Sequence, residues 1–279
     1  MLQTELTSPA KSPAWASVHE THIGAVFLIG DVAYKLKKPV DFGFLDFTTR
    51  ESREQVCHKE VALNRRLAPD VYLGVADVTG PDGSVCDHLV VMRRMPEERR
   101  LSTLVRQRVP LTDTIRDLAQ LLARFHSSAA RGPAIAEQGS RDAIRARWEA
   151  SFEQVRPFHG TVLEPAVATE IEQLTDEFLA GRAALFDRRM TTGRVVDGHG
   201  DLLADDIFCL DDGPRILDCL EFDDNLRRLD GLDDIAFLAM DLERLGAPEL
   251  GELLLDRYAA LSGDPAPPAL RHHYLRDVS

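Results

Sequence analysis

Apolar and polar positions follow an extended pattern early in the chain and a helical one later. Residues 14–40 read as strands: residues 26–29 form an apolar run, Gly30-Asp31 is a turn signal, and residues 32–36 resume extended character. Pro39 and Gly43 end the stretch. Thr48 with Glu51 three positions on predicts a capped helix with Val56, Glu60, Leu63 and Leu67 on one face, closed by Pro69. Residues 71–78 and 88–92 predict two more strands, separated by the Pro81-Asp82-Gly83 turn.

After the polar connector at residues 96–100 the spacing turns helical. Thr112 predicts the cap of a helix that carries Ile115, Leu118, Ala119, Leu122, Phe125 and His126 on one stripe. Residues 141–156 and 165–188 predict two more helices, the second with Pro165 in its first turn. A short β interruption follows at residues 194–197, 207–210 and 215–217, with a turn at 211–214, and helices resume near Asp233. This order predicts an α+β chain of two lobes. Residues 1–95 form a β-rich N-lobe, and residues 96–279 form a mainly helical C-lobe with an embedded hairpin.

Composition narrows the classes. Lys+Arg is 33 and Asp+Glu is 46, a net charge of −13, so the surface repels phosphate backbones and no nucleic-acid partner is expected. Such a surface tolerates or attracts a cationic substrate. Cys57, Cys86, Cys209 and Cys219 form no CxxC pair and read as reduced, structural thiols. Residues 1–6 carry no basic run leading into an apolar core, and no apolar run approaches the roughly 20 residues of a membrane span. A cytoplasmic protein without a membrane partner is the expectation. The sequence Gly-x-x-x-x-Gly-Lys-[Ser/Thr] is absent, which excludes a P-loop enzyme.

The sharpest chemistry lies in His199-Gly200-Asp201 and the acids that follow. Asp206 begins one hairpin strand and Asp218 ends the other. Folding about Asp212-Gly213 sets position 206 nearly opposite 219, so Asp206 and Asp218 share the open end. Two close carboxylates repel unless a cation lies between them. Hard oxygen ligands suit Mg²⁺, which takes its remaining ligands from water and substrate phosphates. Asp201 is placed to accept a proton from, or orient, a substrate hydroxyl. The competing reading is that these aspartates cap turns, as Asp205, Asp211 and Asp212 are expected to do. His199 reads as a packing residue that holds the Asp201 backbone.

The constellation resembles the aminoglycoside phosphotransferase family of protein-kinase-like enzymes. The likeness rests on residues 199–201 with an acid five further on, the strand-ending Asp218, and residues 34–47, 60–67 and 70–74, which look like an uncharacterised bacterial branch. The resemblance implies a bilobal kinase-like fold with ATP and Mg²⁺ bound between the lobes and transfer of the γ-phosphoryl to a small-molecule hydroxyl acceptor. It implies Asp201 as catalytic residue, Asp206 and Asp218 as metal ligands, and Lys35 as phosphate holder, positioned by Glu60. Bottom-up, Lys35 is a cation flanked by apolar Tyr34 and Leu36, and Glu60 lies on a buried helix face; the rival view leaves Lys35 solvated like Lys37 and Lys38. The resemblance also places Arg93, Arg94 and Met95 at the adenine edge and makes Asp234 a brace for the catalytic loop. Glu221 and Asp223 are candidates to face the acceptor or a second cation.

Departures from the family pattern are Asp206 where Asn is usual, Leu203 where His is frequent, and an end at Ser279 where relatives run on into further helices. They favour the alternative of a catalytically weak or inactive nucleotide-binding protein. The short stretch between Asp218 and Asp230 argues against protein substrates.

Overall fold

A computed structural model describes residues 16–43, 45–265 and 267–276. Residues 1–6, the start of the first strand region at residues 14 and 15, and Phe44 lie outside them. The chain divides into two compact units. One holds the described residues up to Arg65 together with Pro69–Met95, and the other holds Arg66–Ala68 together with the described residues from Pro96 on.

The first unit is an antiparallel sheet with one helix. Strands β1 (Ala16–Glu20), β2 (Gly24–Ile29), β3 (Val32–Lys37), β4 (Tyr72–Thr79) and β5 (Val85–Arg93) lie in the order β1-β2-β3-β5-β4. β2 and β3 are joined by Gly30-Asp31, with Gly30 at φ 56, the left-handed conformation a tight hairpin requires. Helix α1 (Arg50–Asn64) runs against β4 and β5. Its cap is Thr49, not Thr48: the Thr49 side chain accepts from Ser52 N, while the Thr48 hydroxyl donates to Asp46. The buried face is rotated by about one residue from the expected one and carries Arg53, Cys57, Glu60, Val61 and Asn64. Arg53 is tied to Asp87 at 2.9 Å and donates to the Phe47 carbonyl, so its charge is matched where it is buried.

The second unit is mainly helical. It comprises α2 (Leu101–Arg106), α3 (Thr112–Ser128), α4 (Pro133–Ala136), α5 (Arg141–Val155), α6 (Pro165–Ala180), α7 (Ala183–Thr191), α8 (Asp224–Arg227), α9 (Gly231–Arg244), α10 (Pro248–Ser262) and α11 (Pro268–Arg276). The whole expected stripe of α3 is buried, and α3 packs on α10, which packs on α9. Each Leu or Ile buried there contributes roughly 1.5–3 kcal/mol. Thr112 is the first helical residue and its side chain makes no cap bond. The helix expected at 165–188 is two, broken at Gly181 and Arg182. Two small antiparallel pairs complete the unit: β6 (Val195–Asp197) with β9 (Arg228–Asp230), and β7 (Ile207–Leu210) with β8 (Gly213–Ile216). No helix among the described residues is long and apolar enough to cross a membrane.

A buried ion cluster ties this unit together. Arg189 on α7 reaches Asp230 at 2.5 Å and Asp264 at 2.6 Å, and Asp230 also caps α9 by accepting from Leu232 N. The two carboxylates hold the Arg189 guanidinium charged against the opposing effect of burial.

Candidate active site

In the first unit, strand alternation sends Lys35 and Lys37 to the same face of β3, towards α1. Both converge on Glu60, Lys35 at 2.9 Å and Lys37 at 2.6 Å. Glu60 is fully buried and Lys37 is only 1% exposed, whereas the Lys35 side chain keeps 17% of its surface open. Lys37 is therefore not a solvated strand residue. Its ammonium also lies 5.6 Å from the Phe47 ring centre. Lys38 is the partly exposed member of the run and pairs with Glu20. At the end of β5, Arg93 N donates to the Val71 carbonyl and Arg94 N to the Asp31 carbonyl, so both backbone donors are committed inside this unit. Arg93 pairs with Asp70 at 3.2 Å.

In the second unit the loop after β6 is fixed from several sides. Asp234, in the first turn of α9, accepts from His199 N at 2.7 Å, Gly200 N at 3.0 Å and His126 Nε2 at 3.0 Å. Burial acts to raise its pKa, but the His126 hydrogen bond and charge, with the His199 contact, outweigh it and keep the carboxyl below its usual range. Gly198 has to be glycine: a Cβ there would sit 2.6 Å from Asp234 Oδ2. His199 is fully buried. Its Nε2 donates to the Leu217 carbonyl at 3.0 Å and its Nδ1 accepts from Asp201 N at 3.3 Å, a pairing that requires the neutral ring. Burial pushes its pKa down, in keeping with that state. His199 thus joins the Asp201 loop to the end of the hairpin.

The hairpin register differs from the expected one by two residues. Ile207 pairs with Ile216, and Leu217 N donates to the Asp206 carbonyl at 2.9 Å. Asp206 stands opposite Leu217 and Asp218 follows directly. The turn is Asp211-Asp212, and Gly213 belongs to β8. Asp206 ends a 3-10 turn over Ala204–Asp206 whose first N–H is held by the buried Asp241 at 2.9 Å. Asp205 accepts from the Ser102 hydroxyl, a role beyond turn capping. Asp218 adopts φ 62, a left-handed conformation uncommon outside glycine.

Asp201 itself is partly buried, and among the described residues its carboxylate has no hydrogen-bond or ion-pair partner. Burial first, then the charges of Asp218, Asp234 and Glu221, push its pKa up to about 6. Glu221 is itself buried, whereas Asp223 caps the one-turn α8 by accepting from Asn225 N.

Sequence reasoning missed the arginine clamp beneath this loop. Asp197 is held by Arg227 at 2.7 Å and by Arg66 at 2.9 Å. Burial works to raise the Asp197 pKa, but the two guanidinium groups hold it down. Arg66 also donates to the Gly198 carbonyl and to Cys219 Sγ, and Arg227 donates to the Leu220 carbonyl. Two arginines thereby tie the strand before Asp201 to the segment after Asp218. Their only signal in the sequence was an acid closing a strand before a glycine.

No family model matches the chain. An uncharacterised protein of Mycobacterium tuberculosis and one of Mycobacterium bovis are each 46% identical to it over 267 residues, 96% of this chain and 54% of theirs. The chain thus spans about half the length of these relatives. Among solved structures, the GDP and kanamycin complex of APH(2")-IIia matches at a TM-score of 0.57 and 17% identity, over 96% of this chain and 83% of that one. Choline kinase from Cryptosporidium parvum matches at 0.51 and 10%, over 96% and 80%. At such identities the likeness establishes the fold. It is the bilobal α+β protein-kinase-like fold shared by aminoglycoside phosphotransferases and choline kinase-like proteins.

Proposed function

We propose that this chain is an ATP-dependent phosphotransferase that moves the γ-phosphoryl group to a hydroxyl of a small molecule. The observation that carries the reading is the Asp201 carboxylate. It has no partner among the described residues, stands in a loop fixed from below by Asp234 and His199, and has a pKa of about 6. A carboxyl of that pKa is mostly ionised at neutral pH and still basic enough to take a proton as the bond forms. In the step, the acceptor O–H gives its proton to Asp201, the oxygen forms a bond to Pγ, and the bond between Pγ and the β–γ bridging oxygen breaks to release ADP. Little covalent chemistry falls to the protein, so positioning and charge dominate.

Lys35, anchored by Glu60, would hold the α- and β-phosphates. At the adenine edge, Arg93 and Arg94 have spent their N–H groups, which leaves the Met95 N–H to offer the base a donor. Asp206 and Asp218 would hold Mg²⁺. The donor set fits. No group of three or more His, Cys, Asp and Glu among the described residues forms a complete metal cage, and Mg²⁺ in phosphotransfer takes one or two carboxylates plus phosphate oxygens. Burial first, then the charges of Asp218, Asp234, Glu221 and Asp241, raise Asp201, and a cation held at Asp218 would offset part of that charge. When bound, Mg²⁺ supplies charge neutralisation to the phosphates.

The test is ATP consumption across a panel of sugars, amino sugars and amino alcohols with Mg²⁺, Mn²⁺ or EDTA, beside calorimetry of ATP binding. Metal-dependent turnover with at least one acceptor supports the reading. Metal-dependent ATP binding without transfer to any acceptor or to water supports the inactive nucleotide-binding alternative, for which Leu203 in the catalytic loop speaks. Equal ATP affinity with Mg²⁺ and EDTA refutes the metal role.

A further inference from the structure

We propose that the acceptor carries an anionic group, a carboxylate or phosphate monoester, and that Arg147 receives it in a cavity beside the catalytic loop. The proposal rests on the phosphotransfer reading and names the substrate class of that site. The cavity holds about 270 Å³ and lies wholly within the helical unit; Arg147, Trp148, Gly200, Asp233, Phe237 and Tyr274 are among its walls. Gly200, the residue immediately before Asp201, gives the catalytic loop a place in the wall of this cavity. The volume falls just below the about 300–1,000 Å³ of drug-sized ligand pockets, which suits a single-ring metabolite.

Arg147 stands apart from the other arginines of α5. Arg141 pairs with Asp142 at 2.9 Å and Arg145 with Asp176 at 3.8 Å. Arg147 makes no ion pair among the described residues, and its one hydrogen bond runs from Nη1 to the Gln138 carbonyl at 2.8 Å. A guanidinium offers five N–H donors in a planar fork, so most of its donors remain for a ligand. It is half-buried beside Trp148, and that burial pulls its pKa down despite the charge of Asp233 nearby. A cation kept partly from water and making no direct ion pair among the described residues is completed by an anion, and the fork matches a carboxylate or phosphate edge to edge. The aromatic walls would cover the carbon skeleton. Asp233 and Asp234 also line the cavity, so the preference for an anion rests on the directed donors of the Arg147 fork and not on the net charge of the lining.

The experiment uses the full chain and four sugars that share one ring: glucuronate, glucose 6-phosphate, glucose and glucosamine. Calorimetry without nucleotide is expected to give the better of the two anionic sugars at least tenfold tighter binding than glucose, with glucosamine weakest. Whichever anion leads identifies the group as carboxylate or phosphate. Arg147→Met should bring all four within about threefold of one another, and Arg147→Lys should retain part of the preference. Loss of fold alone would weaken all four alike. The inference is overturned if wild type binds neither anion more tightly than glucose, or if folded Arg147→Met keeps the preference. ATP turnover with the same sugars separates the two claims. Anion-selective binding without turnover of any sugar retires the phosphotransfer reading and keeps the anion site; turnover of glucose or glucosamine at or above the anionic sugars does the reverse.

Discussion

Replacing Asp201 by Asn is predicted to abolish turnover and at the same time make the metal-free protein more stable at neutral pH. The carboxyl moves from 3.8 to about 6, burial first and neighbouring acids second. A carboxyl whose folded pKa is raised stabilises the fold when protonated and costs stability as pH climbs from the unfolded value through the folded one. Between roughly pH 4 and 6 wild type therefore loses up to about 3 kcal/mol, which is the full effect at pH 7, and about half of it is lost by pH 5. Asn has the shape of the protonated acid and carries no charge. Asp201→Asn should thus gain about 1–3 kcal/mol at pH 7, the lower figure allowing for an amide left without partners, and about half as much at pH 5. Urea unfolding of both proteins in EDTA at the two pH values measures this. A variant that is less stable than wild type at pH 7, or whose gain is the same at both pH values, refutes the assignment of Asp201 as an acid held charged against its surroundings. Turnover should fall at least a hundredfold while ATP affinity stays within about threefold, because the residues proposed to hold the phosphates and the metal are untouched.

Three further outcomes follow from the geometry. Lys37→Met should lower stability by about 2 kcal/mol while leaving the KM for ATP within twofold, because its ammonium is sealed against Glu60; Lys35→Met should do the opposite and raise that KM at least tenfold, and an exchange of these two phenotypes would mean the phosphate-holding lysine is Lys37. Arg189→Met strands the buried Asp230 and Asp264 carboxylates and should cost about 3–5 kcal/mol in denaturant unfolding; a loss below 1 kcal/mol would show the cluster is not what ties α7 to α9. Gly198→Ala drives a methyl into Asp234 and should reduce turnover more than tenfold, whereas Gly74→Ala, where a Cβ meets nothing, should not; equal activity in both variants would remove Asp234 as the brace of the loop.

Local chemistry was legible from the chain, and long-range chemistry was not. Gly30-Asp31 announced its hairpin because a φ above zero leaves few residue choices, and the α3 stripe announced itself through its period. Lys37 could have been read from the same alternation that turned Lys35 inward, since residues two apart in a strand share a face. Thr48 and Thr49 are indistinguishable as caps until one hydroxyl is taken, and Asp46 takes that of Thr48. The break at Gly181 was hidden because the apolar spacing continues across it. Asp201, Asp206 and Asp218 were visible as acids around a hairpin, yet Arg66 and Arg227 were not: they meet Asp197 across 131 and 30 positions, and no periodic pattern records such a pair. Arg147 carried no signal either, since what sets it apart is that it makes no direct ion pair among the described residues.

The left-handed backbone at Asp218 has a consequence for how this position can change over generations. An Ala or Ser there pays for its Cβ, about 1–2 kcal/mol, while Gly or Asn occupies the same turn at little cost. The steps open to a lineage at residue 218 are therefore few, and glycine is the one that relieves the most strain. Asp, whose short polar side chain tolerates this conformation, already belongs to that small set.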